Sequence, residues 1–342
     1  MLANYTSNNV DALPQMATCL KAAGDPLRLE LLRILARDSY GVMELSRIFD
    51  TKQSGMSHHL KVLAAAGWLA SRREGNSIFY RRANPSSSPS GKSALARLQQ
   101  QLFVSLDETP ISDEVSERVA LIQEERANTS KQFFAENVSK FREHQDLIAS
   151  FPVYAEQVGE QVSNLAESYS SPSLALEVGP GEGEFLAVLS PLFTEVIALD
   201  NAPAMLSRAQ EFASQRELRN IQFIAGDTRE ALRRRVLADC IIVNMVLHHT
   251  PSPADIFQDL SHLLKPNGTV LVTDLCRHDQ GWAKETCGDL WQGFEPEDFT
   301  RWAAQAGLQE SSSVYFALRN GFQVQVRQFV KTTSEPVTQI SN

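Results

Sequence analysis

An α/β chain of two folded units is what the 342 residues predict. Three observations carry this. Residues 13–82 read as short helices closed by a hairpin, whereas 174–330 alternate β-type runs with helical stretches, the βαβ rhythm of an open parallel sheet. Between them "ANPSSSPSGKS" (83–93) is a Pro/Ser/Gly break. The length also exceeds what one core usually fills.

The N-terminal elements follow in order. A first helix has a weak cap near Asp11. "DPLRLELLRILAR" supplies Asp25 as N-cap, Pro26 at the first helical position, and Leu27, Leu31, Ile34 and Leu35 at helical spacing. "VMELSRIFD" is a third short helix, and a fourth runs from Thr51 or Gln53 to about Ala66, where Gly67 ends it. "WLASRREGNSIFYRR" alternates apolar and polar residues about Glu74-Gly75-Asn76, a hairpin signal. Helices are expected at 93–106 and through 111–168, the latter with an apolar stripe of Phe133, Phe134, Val138 and Phe141.

Composition narrows the classes. No apolar run approaches the ~20 residues that span a bilayer. The N-terminus has neither a basic n-region nor an apolar h-region, so no signal peptide is expected and a cytoplasmic location is. Cys19, Cys240, Cys276 and Cys287 are scattered, which fits reduced thiols rather than a disulfide or zinc framework; Cys240 reads as strand core. The net charge of -9 conceals an asymmetry. Residues 1–105 hold 13 Lys+Arg against 7 Asp+Glu, so a polyanion partner is expected at that end alone.

Two short helices, a turn, an amphipathic helix and a basic hairpin make a winged helix-turn-helix, whose second helix enters the DNA major groove. Gln53, Ser54, Ser57 and His58 can reach base edges, while Lys61, Arg72, Arg73, Arg81 and Arg82 can neutralise phosphates. Leu60 and Leu63 face the core, and His59 points toward the packed side. "LKAAGDPLRLELLRIL", "ELSRIF", "QSGMSHHLKVLAAAGWL" and "RREGNSIFYRR" resemble the ArsR/SmtB family of dimeric winged-helix repressors. The resemblance implies an operator-DNA partner and a homodimer built on helices at about 12–23 and 93–106. Many members bind metals through cysteines before the recognition helix; here those positions hold Gly41 and Met43, so no sensor of that kind is expected and Met43 reads as core.

In the second unit, "ALEVGPGEGEFLAVL" places Glu177, Gly179, Gly181 and Gly183 between a strand and a helix. The glycines let backbone approach a ligand, and the acid before them suits a ligand carrying positive charge. The next strand ends in Asp200, where an acid holds ribose hydroxyls, followed by Asn201. The third ends at Asp227 and Thr228, placed to meet an adenine amine, and the fourth at Asn244 before His248-His249. Together these features resemble the Rossmann-like S-adenosylmethionine-dependent methyltransferases over about 174–330. That implies a seven-stranded, mostly parallel sheet with an antiparallel terminal hairpin at 313–330, and a site for S-adenosylmethionine or S-adenosylhomocysteine.

The whole chain is similar to a group fusing an ArsR-type winged helix to a methyltransferase. The expected boundaries are 1–106 for the winged helix, 107–168 for a helical linker and cap, 169–332 for the methyltransferase domain, and 333–342 for a disordered tail. By that resemblance His278, Asp279, Trp282, Asp289 and Trp291 either face an acceptor pocket or, for the tryptophans, form core. His248 and His249 are either the catalytic base or only line the adenosine pocket. The missing Asn/Asp-Pro-Pro-Tyr/Phe motif disfavours adenine-N6 methylation, and the missing Pro-Cys disfavours cytosine-C5 methylation. No metal is expected, because the pairs His58-His59 and His248-His249 fall in different units without a Cys or paired acid at ligand spacing.

Overall fold

The computed structural model describes residues 12–74, 77–85, 93–137, 140–170 and 173–332. Asp11, the hairpin tip Gly75-Asn76, most of the Pro/Ser break, Val138, the side chain of Phe141 and the tail 333–342 lie outside the described residues. Two compact units meet the eye along the chain, Met1–Glu125 and Arg126–Asn342.

The first unit holds α1 (Ala12–Ala23), α2 (Pro26–Ile34), β1 (Tyr40–Gly41), α3 (Val42–Ile48), α4 (Gln53–Ala65), β2 (Leu69–Glu74), β3 (Ser77–Arg82) and α5 (Ala94–Glu108). Asp25 caps α2, its carboxylate accepting the Arg28 backbone N–H at 3.1 Å, with Pro26 next in line. Gly67 takes a φ of +75°, which ends α4 and turns the chain into β2. The strands form an antiparallel sheet in the order β1-β3-β2. Leu31, Leu32, Leu45, Ile48, Met56, Leu60, Leu63 and Trp68 are wholly buried. Each such side chain contributes about 1.5–3 kcal/mol of hydrophobic stabilisation. They lock α3 and α4 as one helix-turn-helix.

Two expectations are corrected here. Met43 is not core: it is 59% exposed, because α3 buries its other face through Leu45, Ser46 and Ile48. Arg82 is not a phosphate contact. Its guanidinium is buried, donating to the Leu32 carbonyl and pairing with Asp107, so it ties β3 to α2 and α5.

In the second unit, the sheet runs β6-β5-β4-β7-β8-β10-β9. Its strands are β4 (Leu174–Val178), β5 (Glu195–Asp200), β6 (Ile221–Ala225), β7 (Ala238–Asn244), β8 (Leu264–Leu275), β9 (Leu308–Ala317) and β10 (Gln323–Lys331). The first five are parallel, and β10 inserts antiparallel between β8 and β9. The seven strands and antiparallel end match the expected fold class, although β9 begins at Leu308 rather than near 313. The chain leaves β4 toward β5 on one side and reaches β7 on the other, so a crevice opens at the carboxyl ends of these strands.

α6 (Asp113–Asn137) carries the chain across the division between the units, and α7 (Phe141–Ile148) and α8 (Phe151–Ala166) precede the sheet. Around the sheet lie α9 (Leu186–Leu189), α10 (Pro203–Gln215), α11 (Thr228–Arg233), α12 (Pro253–Leu263), α13 (Trp282–Cys287) and α14 (Pro296–Gln305). β7 is buried along nearly its whole length, Cys240 included, as a central parallel strand should be.

Candidate functional site

The crevice is built from strand ends. Gly179 follows β4 with φ +68°, and a Cβ there would meet Val246 Cγ2 at 2.6 Å. Only glycine fits this turn. Gly179 and Gly181 line the crevice, but Gly183 is not among its lining residues: a Cβ there would meet Ala209 Cα at 2.9 Å, so this glycine serves packing against α10.

Two clefts open on either side of the glycine turn. The larger, about 730 Å³ to its open mouth, is lined by Asp200, Asn201, Asp227, Thr228, Met245 and His249 among others. Asp200 accepts the Ala202 backbone N–H at 2.8 Å. Burial pushes its carboxyl up to about 6, opposed by the N–H groups of Ala202 and Asn201. Asp227 caps α11 by accepting the Glu230 N–H, and the buried Thr228 hydroxyl donates to Asp259. The Thr228 hydroxyl is thus already engaged within the fold.

The second cleft, about 410 Å³, holds Glu177 and Asn244. Glu177 is 2% exposed, and its Oε2 has no hydrogen-bond partner among the described residues. Burial, and then the charge of Asp200, push the Glu177 carboxyl up to about 8. Both side-chain atoms of Asn244 are likewise buried without a partner among those residues. Leaving such groups unpaired costs about 1–3 kcal/mol apiece. A polar ligand in the cleft would recover that cost.

A third cleft, about 440 Å³, lies at the mouth of β7. His248, His249 and Asp289 line it, with Phe133, Phe134 and His144. His248 Nδ1 donates to Asp274 Oδ1 at 2.7 Å, and Asp274 also accepts the backbone N–H groups of Leu247, His248 and Leu275. Burial alone would pull the imidazole down, but Asp274 and Asp289 outweigh it and push His248 up to about 9. Burial and the neighbouring His248 hold His249 well below the usual range. Its ring stands edge-on to Phe134 with centroids 4.9 Å apart.

Of the residues expected near an acceptor, Asp289 alone lines this cleft. His278 packs edge-on against Phe322 and burial pulls it down to about 4, Asp279 and Trp282 are exposed, and Trp291 is core, its indole N–H donating to the Thr250 carbonyl. Sequence reasoning missed Asp274, Met245 and His144. Asp274 had a signal, an acid ending the apolar run "VLVTDL". Met245 borders all three clefts and holds a φ of +57°, a strained conformation for a side-chain-bearing residue.

In the first unit, Gln53, Ser54, His58 and Lys61 are exposed on α4 and Ser57 is half-buried. His59 is half-buried, with Nδ1 3.8 Å from the carboxylate of Asp25. On the hairpin Arg73 is exposed, whereas Arg72 turns back to the buried Glu74 at 2.9 Å.

A winged-helix unit followed by a Rossmann-like domain with a pocket at its strand ends defines a two-part class. Family models match both parts: the bacterial regulatory protein, arsR family, over residues 25–70, and a methyltransferase domain over 151–312. The chain belongs to the arsR family of bacterial regulatory proteins through its N-terminal unit, and its C-terminal unit is a methyltransferase domain.

An uncharacterized HTH-type transcriptional regulator of Methanocaldococcus jannaschii is 42% identical over 67 residues, 19% of this chain and 73% of that protein. The transcriptional repressor SmtB homolog of Synechocystis is 33% identical over 72 residues, 21% of this chain and 54% of its own. On the methyltransferase side, the biotin biosynthesis bifunctional protein BioHC of Cellvibrio japonicus is 29% identical over 118 residues, 34% of this chain. The match spans 23% of the length of BioHC and 52% of the next relative, a protein-L-isoaspartate O-methyltransferase of Alteromonas mediterranea. The chain thus covers about half or less of those enzymes. Among solved structures, the N-methyltransferase NodS of Bradyrhizobium japonicum with S-adenosyl-L-homocysteine aligns at 19% identity and a TM-score of 0.41, over 52% of this chain and 86% of NodS.

Proposed function

We propose that the chain is a homodimeric transcriptional regulator that binds operator DNA through its winged helix. Its methyltransferase domain binds S-adenosylmethionine or S-adenosylhomocysteine and biases DNA affinity. The observation that carries this reading is the pairing of two acids with one glycine turn. Glu177 keeps a buried, unpartnered oxygen in one cleft, and Asp200 ends the neighbouring strand in the other. A nucleoside with a ribose and a cationic amino-acid tail suits that pair: hydroxyls meet Asp200, and positive charge lies near Glu177. Regulation requires the ligand to bind DNA-competent and incompetent states unequally. Exposed Leu13 and Leu20 on α1 and Val104 on α5 support a dimer on those helices, since association would bury them.

Calorimetric titration of both nucleosides, with and without operator-bearing DNA, tests the reading. Binding is expected in the micromolar range or tighter, with a different affinity when DNA is present; DNA affinity indifferent to both nucleosides would sink it. Asp200→Ala is expected to weaken the nucleoside at least tenfold while the dimer persists in sedimentation.

A second reading, favoured by the His248–Asp274 pair beside the third cleft, is a small-molecule methyltransferase with an autoregulatory winged helix. Methyl transfer from a sulfonium is in-line displacement, so positioning supplies much of the rate, and His249, held neutral by burial and by the neighbouring His248, can take the acceptor's proton at the mouth. Turnover of labelled S-adenosylmethionine with cell extract discriminates the two.

A further inference from the structure

We infer that His248, His249 and Asp289 form a binding site for a borderline divalent transition-metal cation, of the Zn2+, Co2+ or Fe2+ type. One donor atom from each residue lies within 4.8 Å of the other two. His248 Nε2 is 3.8 Å and His249 Nδ1 3.7 Å from Asp289 Oδ1; His249 Nδ1 also donates to the Gly288 carbonyl at 3.2 Å, a hydrogen bond and a proton that the cation would displace. Donors about 2.0–2.2 Å from a tetrahedral metal sit roughly 3.4 Å apart, so a small inward movement completes the site. Two imidazole nitrogens and one carboxylate oxygen suit borderline cations rather than Mg2+ or Ca2+, which prefer all-oxygen shells.

Two independent features support a built site. The far side of the His248 ring is fixed, with Nδ1 held by Asp274 at 2.7 Å and Nε2 directed at the cluster. A carboxylate behind a histidine is how metal-ligating imidazoles are commonly oriented. The segment bearing Asp289 is also pinned to the histidines: Leu290 and Trp291 donate their backbone N–H groups to the His248 carbonyl at 2.9 and 3.1 Å. The loop from β7 and the loop after α13 are therefore stitched together at the donors.

Three protein donors leave a coordination position open, the mark of a site that takes an exogenous ligand. That position faces the third cleft, where His144 keeps a buried Nδ1 without a partner among the described residues. The open position suits water or an oxygen, nitrogen or sulfur donor of a small molecule. The cation site stands on its own donors; only its use toward a methyl acceptor rests on the second reading above. Spacing along the chain hides the site, because Asp289 joins the His248-His249 pair only in the fold.

The test titrates the full chain, purified with chelator and dialysed, with Co2+ and separately with Zn2+. One equivalent of Co2+ per chain is expected, with visible d–d absorption displaced by Zn2+. Asp289→Asn and His249→Gln should each weaken binding at least tenfold. S-adenosylhomocysteine binding, measured on the same samples, reports the nucleoside reading separately. Circular dichroism identifies any variant that fails to fold, and His249→Gln, at the less buried position, decides if Asp289→Asn is lost. Substoichiometric binding to the wild-type chain overturns the inference, as does full Co2+ affinity in His249→Gln.

Discussion

His248 and Asp274 are joined twice, ring Nδ1 to carboxylate at 2.7 Å and backbone N–H to carboxylate at 3.3 Å, with both side chains buried. One carboxylate thus fixes both the ring and the backbone turn that begins the Leu247–His249 3-10 helix. Breaking a buried pair by removing one charge leaves the other uncompensated. Asp274→Asn is expected to cost about 3–5 kcal/mol, read as a loss of denaturant midpoint.

The same pair sets a pH window. A histidine raised to about 9 when folded binds a proton that the unfolded chain has released, so its contribution is full below the ordinary 6.5 and lost as pH rises through 9. Unfolding free energy of the metal-free chain, followed from pH 8 to 9.5 and so above the window of Glu177, should fall in the wild type and much less in His248→Gln. An equal fall in both would place the effect elsewhere.

Glu177 and Asp200 titrate in the same direction for a different reason, since burial penalises their charged forms. Their folded carboxyls are raised to about 8 and about 6, so the native state holds protons that the unfolded chain has shed. Their stabilising effect is therefore present at low pH and declines as pH rises from about 4 to 8. A cationic ligand favours the ionised acids, so its binding at pH 7 should release protons. Calorimetry in buffers of different ionisation enthalpy measures that release, which Glu177→Gln should reduce.

On the winged helix, Lys61 is exposed and Arg72 is held by Glu74. Lys61→Ala is expected to weaken DNA binding on every sequence alike and to reduce the salt slope by about 0.9. Arg72→Ala should lower thermal stability instead, since it removes an ion pair from a buried carboxylate. Salt-dependent anisotropy titrations and melting curves separate the two outcomes.

Backbone shape gives a control pair. Gly293 has φ +69°, and a Cβ there would fall 2.3 Å from the Cys276 carbonyl oxygen, whereas nothing lies within 4 Å of one at Gly281. Gly293→Ala should cost more than about 2 kcal/mol and Gly281→Ala less than about 1, by chemical denaturation.

Local pattern makes much of this protein legible in its sequence. Asp25-Pro26 announced α2, Gly67 closed α4, and the glycine turn with Glu177, Asp200 and Asp227 in order outlined the crevice. Each signal is short-range, since caps, turns and strand ends are written within a few residues. Burial and pairing across the chain are not. That Met43 faces outward, that Arg82 is spent inside on Leu32 and Asp107, that Gly183 serves α10, and that Asp274 and Asp289 converge on His248 all depend on contacts between distant segments. The chain specifies which elements form; only their packing brings two loops together around two histidines and fixes which charges meet there.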